Sequence, residues 1–168
     1  HRRAFFKRSS DMGFLALGSS YLGAGIYEGS KQPIVLPVQV TQNLFIKSKR
    51  VVQISDLHIG GLIDRDFVKA SVESINILKA DIVVITGDLI DASIERVSEI
   101  VDALKLLEAK YGVYYIVGNH EYYHGIESIL TYMKQMGVHV LENSALLIED
   151  EEPFYIAGVY DYFGYRYG

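Results

Sequence analysis

Ile82-Val83-Val84-Ile85-Thr86-Gly87-Asp88-Leu89-Ile90-Asp91 is the stretch on which the fold turns. Four β-branched residues in a row, with no polar interruption, read as a strand buried on both faces. Gly-Asp ends that strand sharply and leaves a carboxylate at its carboxyl end. The same pattern recurs on either side. Val51-Val52-Gln53-Ile54-Ser55 runs into Asp56 and His58, and Val113-Tyr114-Tyr115-Ile116-Val117 runs into Gly118, Asn119 and His120.

Helical periodicity fills the gaps. Asp64 is placed to cap a helix reaching about Lys79, with Phe67, Val68, Val72, Ile75 and Leu78 on one side. A second helix is expected from Ser93 to Ala109, and a third from Ile126 to Met136. Val138–Val140 and Tyr155–Gly158 read as further strands. Strands alternating with helices make an α/β fold with a largely parallel sheet covered on both faces. Ligands of such sheets bind outside the carboxyl ends of the strands. Three successive turns there carry Asp56 and His58, then Gly87 and Asp88, then Gly118, Asn119 and His120.

Carboxylate, imidazole and amide oxygen together suit a borderline divalent ion such as manganese, iron or zinc. Asp56 and His58, two apart on an extended segment, can face one way. Asp88 could bridge two ions, a pair that would bind phosphoryl oxygens and activate a water. His120 beside Asn119 would sit where a leaving-group oxygen needs a proton. Gly87 and Gly118 let the backbone turn and approach closely. Each piece also has a plain reading: a cap with a surface histidine, a Gly-Asp turn, a Gly-Asn turn. Their occurrence in order, each at a strand end, favours the metal site.

Composition agrees. The chain has 168 residues, 49% of them hydrophobic, so a sizeable core is available. A net charge of −5 speaks against a general grip on nucleic acid, and no nucleic-acid partner is expected. With no cysteine there is no thiolate nucleophile and no disulfide framework.

Ser55-Asp56-Leu57-His58, Gly87–Asp91 and Gly118-Asn119-His120-Glu121 resemble the first three motifs of the calcineurin-like metallophosphoesterases. That resemblance implies a four-layer αββα sandwich, present here in its N-terminal part. It also implies a dinuclear centre in which Asp56 and His58 hold one ion, Asp88 bridges both, and Asn119 holds the second. His120 would contact the phosphate, with Glu121 orienting its imidazole and Asp91 a hydrogen-bonding partner behind the ligands. The family's later lone histidine and its Gly-His-x-His motif have no counterpart, since only His139 follows His124. A chain cut before those motifs is the expectation, with a degenerate, non-catalytic binding protein as the alternative.

Residues 1–30 read as an export signal or membrane anchor. Arg2, Arg3, Lys7 and Arg8 precede an uncharged stretch, Met12–Tyr27, and Arg-Arg-Ala-Phe-Phe-Lys resembles a twin-arginine signal. The stretch is short for a crossing, which takes about 20 apolar residues. Its glycines also make it a poor helix. Residues 31–49, with Pro33 and Pro37, read as a linker or edge strand. The whole resembles a bacterial membrane-associated or exported branch, some members of which resemble hydrolases of lipid A precursor pyrophosphates. A phosphorylated small molecule or lipid is the expected substrate. Among the smaller features, His124 reads as a solvated helix-start residue and Glu149–Glu152 as a solvated hairpin turn. Tyr122 and Tyr123 read as core and rim, and Tyr160, Tyr162, Tyr165 and Tyr167 as a rim, an interfacial belt or core.

Overall fold

The computed structural model describes residues 2–29, 31–40 and 47–164. The chain divides into two units, His1–Ile34 and Val35–Gly168.

The first unit is one helix, α1 (Arg2–Gly29), of 28 residues. It stays helical through Gly13, Gly18, Gly23 and Gly25, against the expectation from their propensity. A Cβ at any of these four would meet nothing within 4 Å. Phe14, Leu17 and Tyr21 on this helix are at least 71% exposed. No helix among the described residues is long and apolar enough to cross a membrane. In the stretch expected as a linker or edge strand, the described residues 31–40 and 47–49 form no strand.

In the second unit, β1 (Val51–Ile54), β2 (Ile82–Thr86), β3 (Val113–Ile116) and β4 (His139–Val140) form a sheet in that spatial order. All three pairings are parallel, with Ile54 opposite Ile85 and Ile85 opposite Tyr115. The β-branched runs therefore end level with one another, which brings their following turns to one edge.

Side chains sort to the two faces with a period of two. Val83 and Ile85 of β2 and Tyr115 of β3 enter the main core. There they meet Val68 and Val72 of α2 (Arg65–Ile77), Val97 and Val101 of α3 (Ile94–Val101), and Ile129 and Met133 of α5 (Ile126–Gln135). Between β3 and α5 lies α4 (His120–Tyr123), a single turn that carries part of the site. Ile82, Val84, Tyr114 and Ile116 point the other way, into a second cluster with Ile148, Phe154 and Ile156. So the sheet is covered on both faces as expected, but strands cover the second. They are the antiparallel hairpin of β5 (Ser144–Ile148) and β6 (Phe154–Gly158).

The helices packed on the sheet follow expectation at their start and depart from it at the end of the second. Asp64 caps α2, accepting from the Phe67 N–H at 2.8 Å, a bond whose loss typically costs about 1 kcal/mol. The second helix stops at Val101 and tightens into a 3-10 turn, Asp102–Leu106, rather than reaching Ala109. Asn76 of α2 explains the stop. Its amide donates to the Leu106 carbonyl at 2.7 Å, and its oxygen accepts from the Glu108 N–H at 2.9 Å. A neighbouring side chain thus satisfies backbone groups that a longer helix would have paired internally.

The acidic turn between β5 and β6 is not simply solvated. Asp150 is 15% exposed and ion-paired to Lys49, whose ammonium lies 5.1 Å from the Tyr111 ring centre. That pairing holds the Asp150 carboxyl well below the usual range and raises Lys49.

Candidate metal centre

The site is built from the three turns at the carboxyl edge of the sheet. Beyond β1 and β2 the backbones stay paired. The Asp56 N–H donates to the Gly87 carbonyl at 3.2 Å, His58 to Asp88 at 3.0 Å, and Ile59 to Leu89 at 2.8 Å. Within this ladder Asp56 (φ 56°), His58 (φ 48°) and Asp88 (φ 48°) all take the left-handed conformation. That region is uncommon for residues other than glycine, though Asp and His tolerate it better than most. Strain of this kind persists where surrounding structure over-determines it, and it concentrates at functional sites.

Two glycines let the second and third turns touch. Gly87 has φ +87°, and a Cβ there would lie 2.6 Å from the Gly118 Cα. A Cβ on Gly118 would lie 2.9 Å from the Asp88 carboxyl carbon. Only bare backbone fits between the two motifs.

Ligand-type atoms of Asp56, His58 and Asp88 all fall within 4.8 Å of one another, and so do those of His58, Asp91 and His120. His58 belongs to both groups. Its ring stands edge-on to His120, with centres 4.6 Å apart. Asn119 sits between two residues that contact Asp88: Gly118, and His120, whose N–H donates to Asp88 Oδ1 at 3.1 Å. The Asn119 side chain makes no capping hydrogen bond to α4.

These residues fit a divalent cation. His58 Nδ1 is buried and has no hydrogen-bond partner, and Asp91 Oδ2 lies 3.4 Å away. A buried nitrogen left in this state costs about 1–3 kcal/mol. The Asp56 and Asp88 carboxylates lie beside it and form no ion pair among the described residues, so a metal ion would answer both deficits.

Asp91 is the hub for three imidazoles. Its Oδ1 lies 2.5 Å from His120 Nδ1 and 3.4 Å from His124 Nε2. The bond to His120 lowers Asp91, and the same bond raises His120. His124 therefore lies half-buried at the end of α4, facing this carboxylate, rather than solvated at a helix start.

Glu121 was expected to orient the His120 imidazole, and the structure corrects this. Adjacent residues on a helix point in different directions. Glu121 turns inward and is 0% exposed. One oxygen accepts from the N–H groups of Leu89 at 2.7 Å and Ile90 at 3.2 Å. The other accepts from Gly118 at 2.8 Å and Asp88 at 3.2 Å. The signal for this lay in the spacing: an acid three residues after Gly118, at a helix start, has the reach of a capping-box acid. Beneath it, burial and the Glu121 carboxylate push the Tyr115 phenol well up.

A family model described as calcineurin-like phosphoesterase matches residues 49–165. The chain belongs to that family. It is 35% identical over 162 residues to an uncharacterized metallophosphoesterase of Helicobacter pylori, covering 96% of this chain and 43% of the relative. A Campylobacter jejuni metallophosphoesterase, also uncharacterized, is 31% identical over 81% of this chain and 37% of its own. A zebrafish (Danio rerio) protein named as a transmembrane protein with a metallophosphoesterase domain is 31% identical over 71% of this chain and 28% of its own. The chain thus spans less than half the length of these relatives. No solved structure matches it.

Among calcineurin-like phosphoesterases this chain carries three motifs with their intervening helices, and the described residues place them at one sheet edge. Of the tyrosines near the end, Tyr165 and Tyr167 lie outside the described residues. Tyr162 is 80% exposed, while Tyr160 bonds to Glu142. Tyr122 packs against the core, and Tyr123 is 60% exposed with its ring 6.3 Å from that of His120.

Proposed function

We propose that the protein is a metal-dependent hydrolase of phosphoester or pyrophosphate bonds, acting at a membrane surface. The observation that supports it most is the convergence of Asp56, His58 and Asp88 within 4.8 Å, beside the His120–Asp91 pair. Asp56, His58 and Asp88 would hold the metal, with Asn119 as a further oxygen donor. Two divalent ions, of the manganese, iron or zinc type, would supply Lewis acidity toward phosphoryl oxygens and a water acidified toward neutral pH.

The protein's own groups do the rest. Asp91 fixes Nδ1 of His120, which leaves Nε2 as the nitrogen able to meet a leaving-group oxygen. The raised pKa keeps His120 protonated closer to neutral pH. His120 can therefore give its proton to the departing alkoxide, or hold a positive charge against the phosphoryl group.

A lipid-linked or nucleotide-linked diphosphate at an extracytoplasmic membrane face is the substrate setting we favour. Its support is the basic start of α1 at Arg2, Arg3, Lys7 and Arg8 and the exposed apolar residues that follow. Basic residues clustered in this way are attracted to anionic lipid headgroups. The zebrafish relative, named as a transmembrane protein, is in keeping with this setting.

The test is hydrolysis of bis-p-nitrophenyl phosphate and of a diphosphate diester by the full-length protein loaded with Mn²⁺. Turnover that Asp88→Asn abolishes supports the reading. Tight Mn²⁺ binding with no turnover of either compound would replace it with a binding role.

A further inference from the structure

The geometry points to Glu121 as a positioning residue that assembles the metal site before any metal arrives. The inference rests on reading Asp56, His58 and Asp88 as ligands, and it adds what holds them in place.

Four backbone N–H groups from two separate turns converge on one fully buried carboxylate. Three belong to Asp88, Leu89 and Ile90, the turn after β2. The fourth belongs to Gly118, the turn after β3. Both oxygens are used twice, and Oε2 alone spans the two turns. Consecutive N–H groups aimed at one anion form a backbone nest, and here the anion is a side chain of the protein itself.

The consequence concerns Asp88. Its backbone is held left-handed at φ 48°, and it follows Gly87 at φ 87°. Its own N–H goes to Glu121, and its carboxylate lies over Gly118. Removing Glu121 would free the turn that aims Asp88 and weaken its tie to the turn that carries Asn119 and His120, leaving the bond from the His120 N–H to Asp88. Ligands aligned in advance pay less ordering entropy when the ion binds.

Glutamine is the informative replacement. One end of its side chain is an NH₂ donor, which would face two N–H donors in place of an acceptor. Two of the four bonds are lost while the volume stays the same.

The experiment is amide hydrogen exchange on the full-length protein stripped with EDTA, with Mn²⁺ titrations of wild type and Glu121→Gln. The four amides of Asp88, Leu89, Ile90 and Gly118 should already exchange slowly in metal-free wild type. In Glu121→Gln they should exchange about 10- to 100-fold faster, and Mn²⁺ affinity should fall about 10- to 100-fold. A purely structural role would lower thermal stability but leave the Mn²⁺ affinity of the folded fraction unchanged, and that result overturns the proposal. So do wild-type amides that exchange freely without metal and slow only when Mn²⁺ is added. This second measurement needs no variant, so it decides the matter even if Glu121→Gln does not fold. Wild type that binds no Mn²⁺ while its four amides stay protected would overturn the phosphoesterase reading and leave the clamp standing.

Discussion

His120 and Asp91, 29 residues apart in sequence, meet at 2.5 Å between Nδ1 and Oδ1. The contact commits Nδ1 to the protein, and in the proposed reaction it leaves Nε2 for a substrate oxygen. It also sets the sign of a pH effect. The bond to Asp91 raises His120 above its ordinary 6.5, so the acid form survives to higher pH than in a free imidazole. Asp91→Asn removes the charge and keeps the shape. The basic limb of kcat should move to lower pH, and kcat near neutrality should fall about 10- to 100-fold. A pH–rate profile of the Mn²⁺-loaded full-length variant checks this. An unchanged basic limb would show that His120 does not act as the acid.

Close backbone contact at Gly87 and Gly118 makes a stability prediction that needs no substrate. Alanine at 87 would combine φ +87° with a Cβ 2.6 Å from the Gly118 Cα. Backbone strain and overpacking of this order cost about 2–4 kcal/mol together. Urea unfolding should show a loss of that size for Gly87→Ala. Gly61→Ala is the control, because a Cβ there meets nothing within 4 Å. Equal stability of the two variants would mean that the two turns do not touch in solution.

These contacts also mark where the sequence could be read and where it could not. Ile82–Ile85 announces a central strand because every side chain in it is apolar and branched, and its alternate residues do enter opposite clusters. Asp64 is legible because a cap is local chemistry. Convergence of Asp56, His58 and Asp88 is legible because parallel strands in register must end at one edge. What failed to show depends on contacts made at a distance. Ser144–Ile148 looks unlike a half-buried strand, since four of its five residues are exposed and the run does not alternate. Breaking of the second helix is imposed by Asn76, about 30 residues earlier in the chain. Glu121 was misread because sequence adjacency to His120 suggests contact, whereas a helical turn sends neighbours apart.

The buried, unpartnered Nδ1 of His58 predicts that metal and fold are linked. An ion that binds the native state alone stabilises it by about 2.7 kcal/mol at one hundred times its dissociation constant. Mn²⁺ should therefore raise the unfolding midpoint of EDTA-stripped protein, and EDTA should reverse the rise. His58→Ala should abolish the Mn²⁺-dependent part, since His58 contributes to both groups of candidate ligands. Calorimetry with and without Mn²⁺ measures it. A midpoint that does not respond to metal in wild type would leave the orphaned nitrogen without its partner and count against the site.

Tyr123 offers the clearest handle on substrate choice. It is 60% exposed, its ring lies 6.3 Å from His120, and on its other side it packs 5.0 Å from the Phe163 ring. An aromatic surface so placed borders the imidazole that would protonate the leaving group, so it should favour leaving groups with a flat or apolar body. Aromatic stacking contributes about 0.5–1.5 kcal/mol beyond simple burial, which corresponds to a factor of about 2 to 12 in kcat/KM. Tyr123→Ala should lower kcat/KM for p-nitrophenyl or naphthyl esters by that factor and leave methyl esters nearly unchanged. Tyr123→Phe should behave as wild type, because the ring and not the hydroxyl makes the contact. An equal loss on aryl and methyl esters would instead place Tyr123 in support of His120, and the preference would have to be sought elsewhere in the protein.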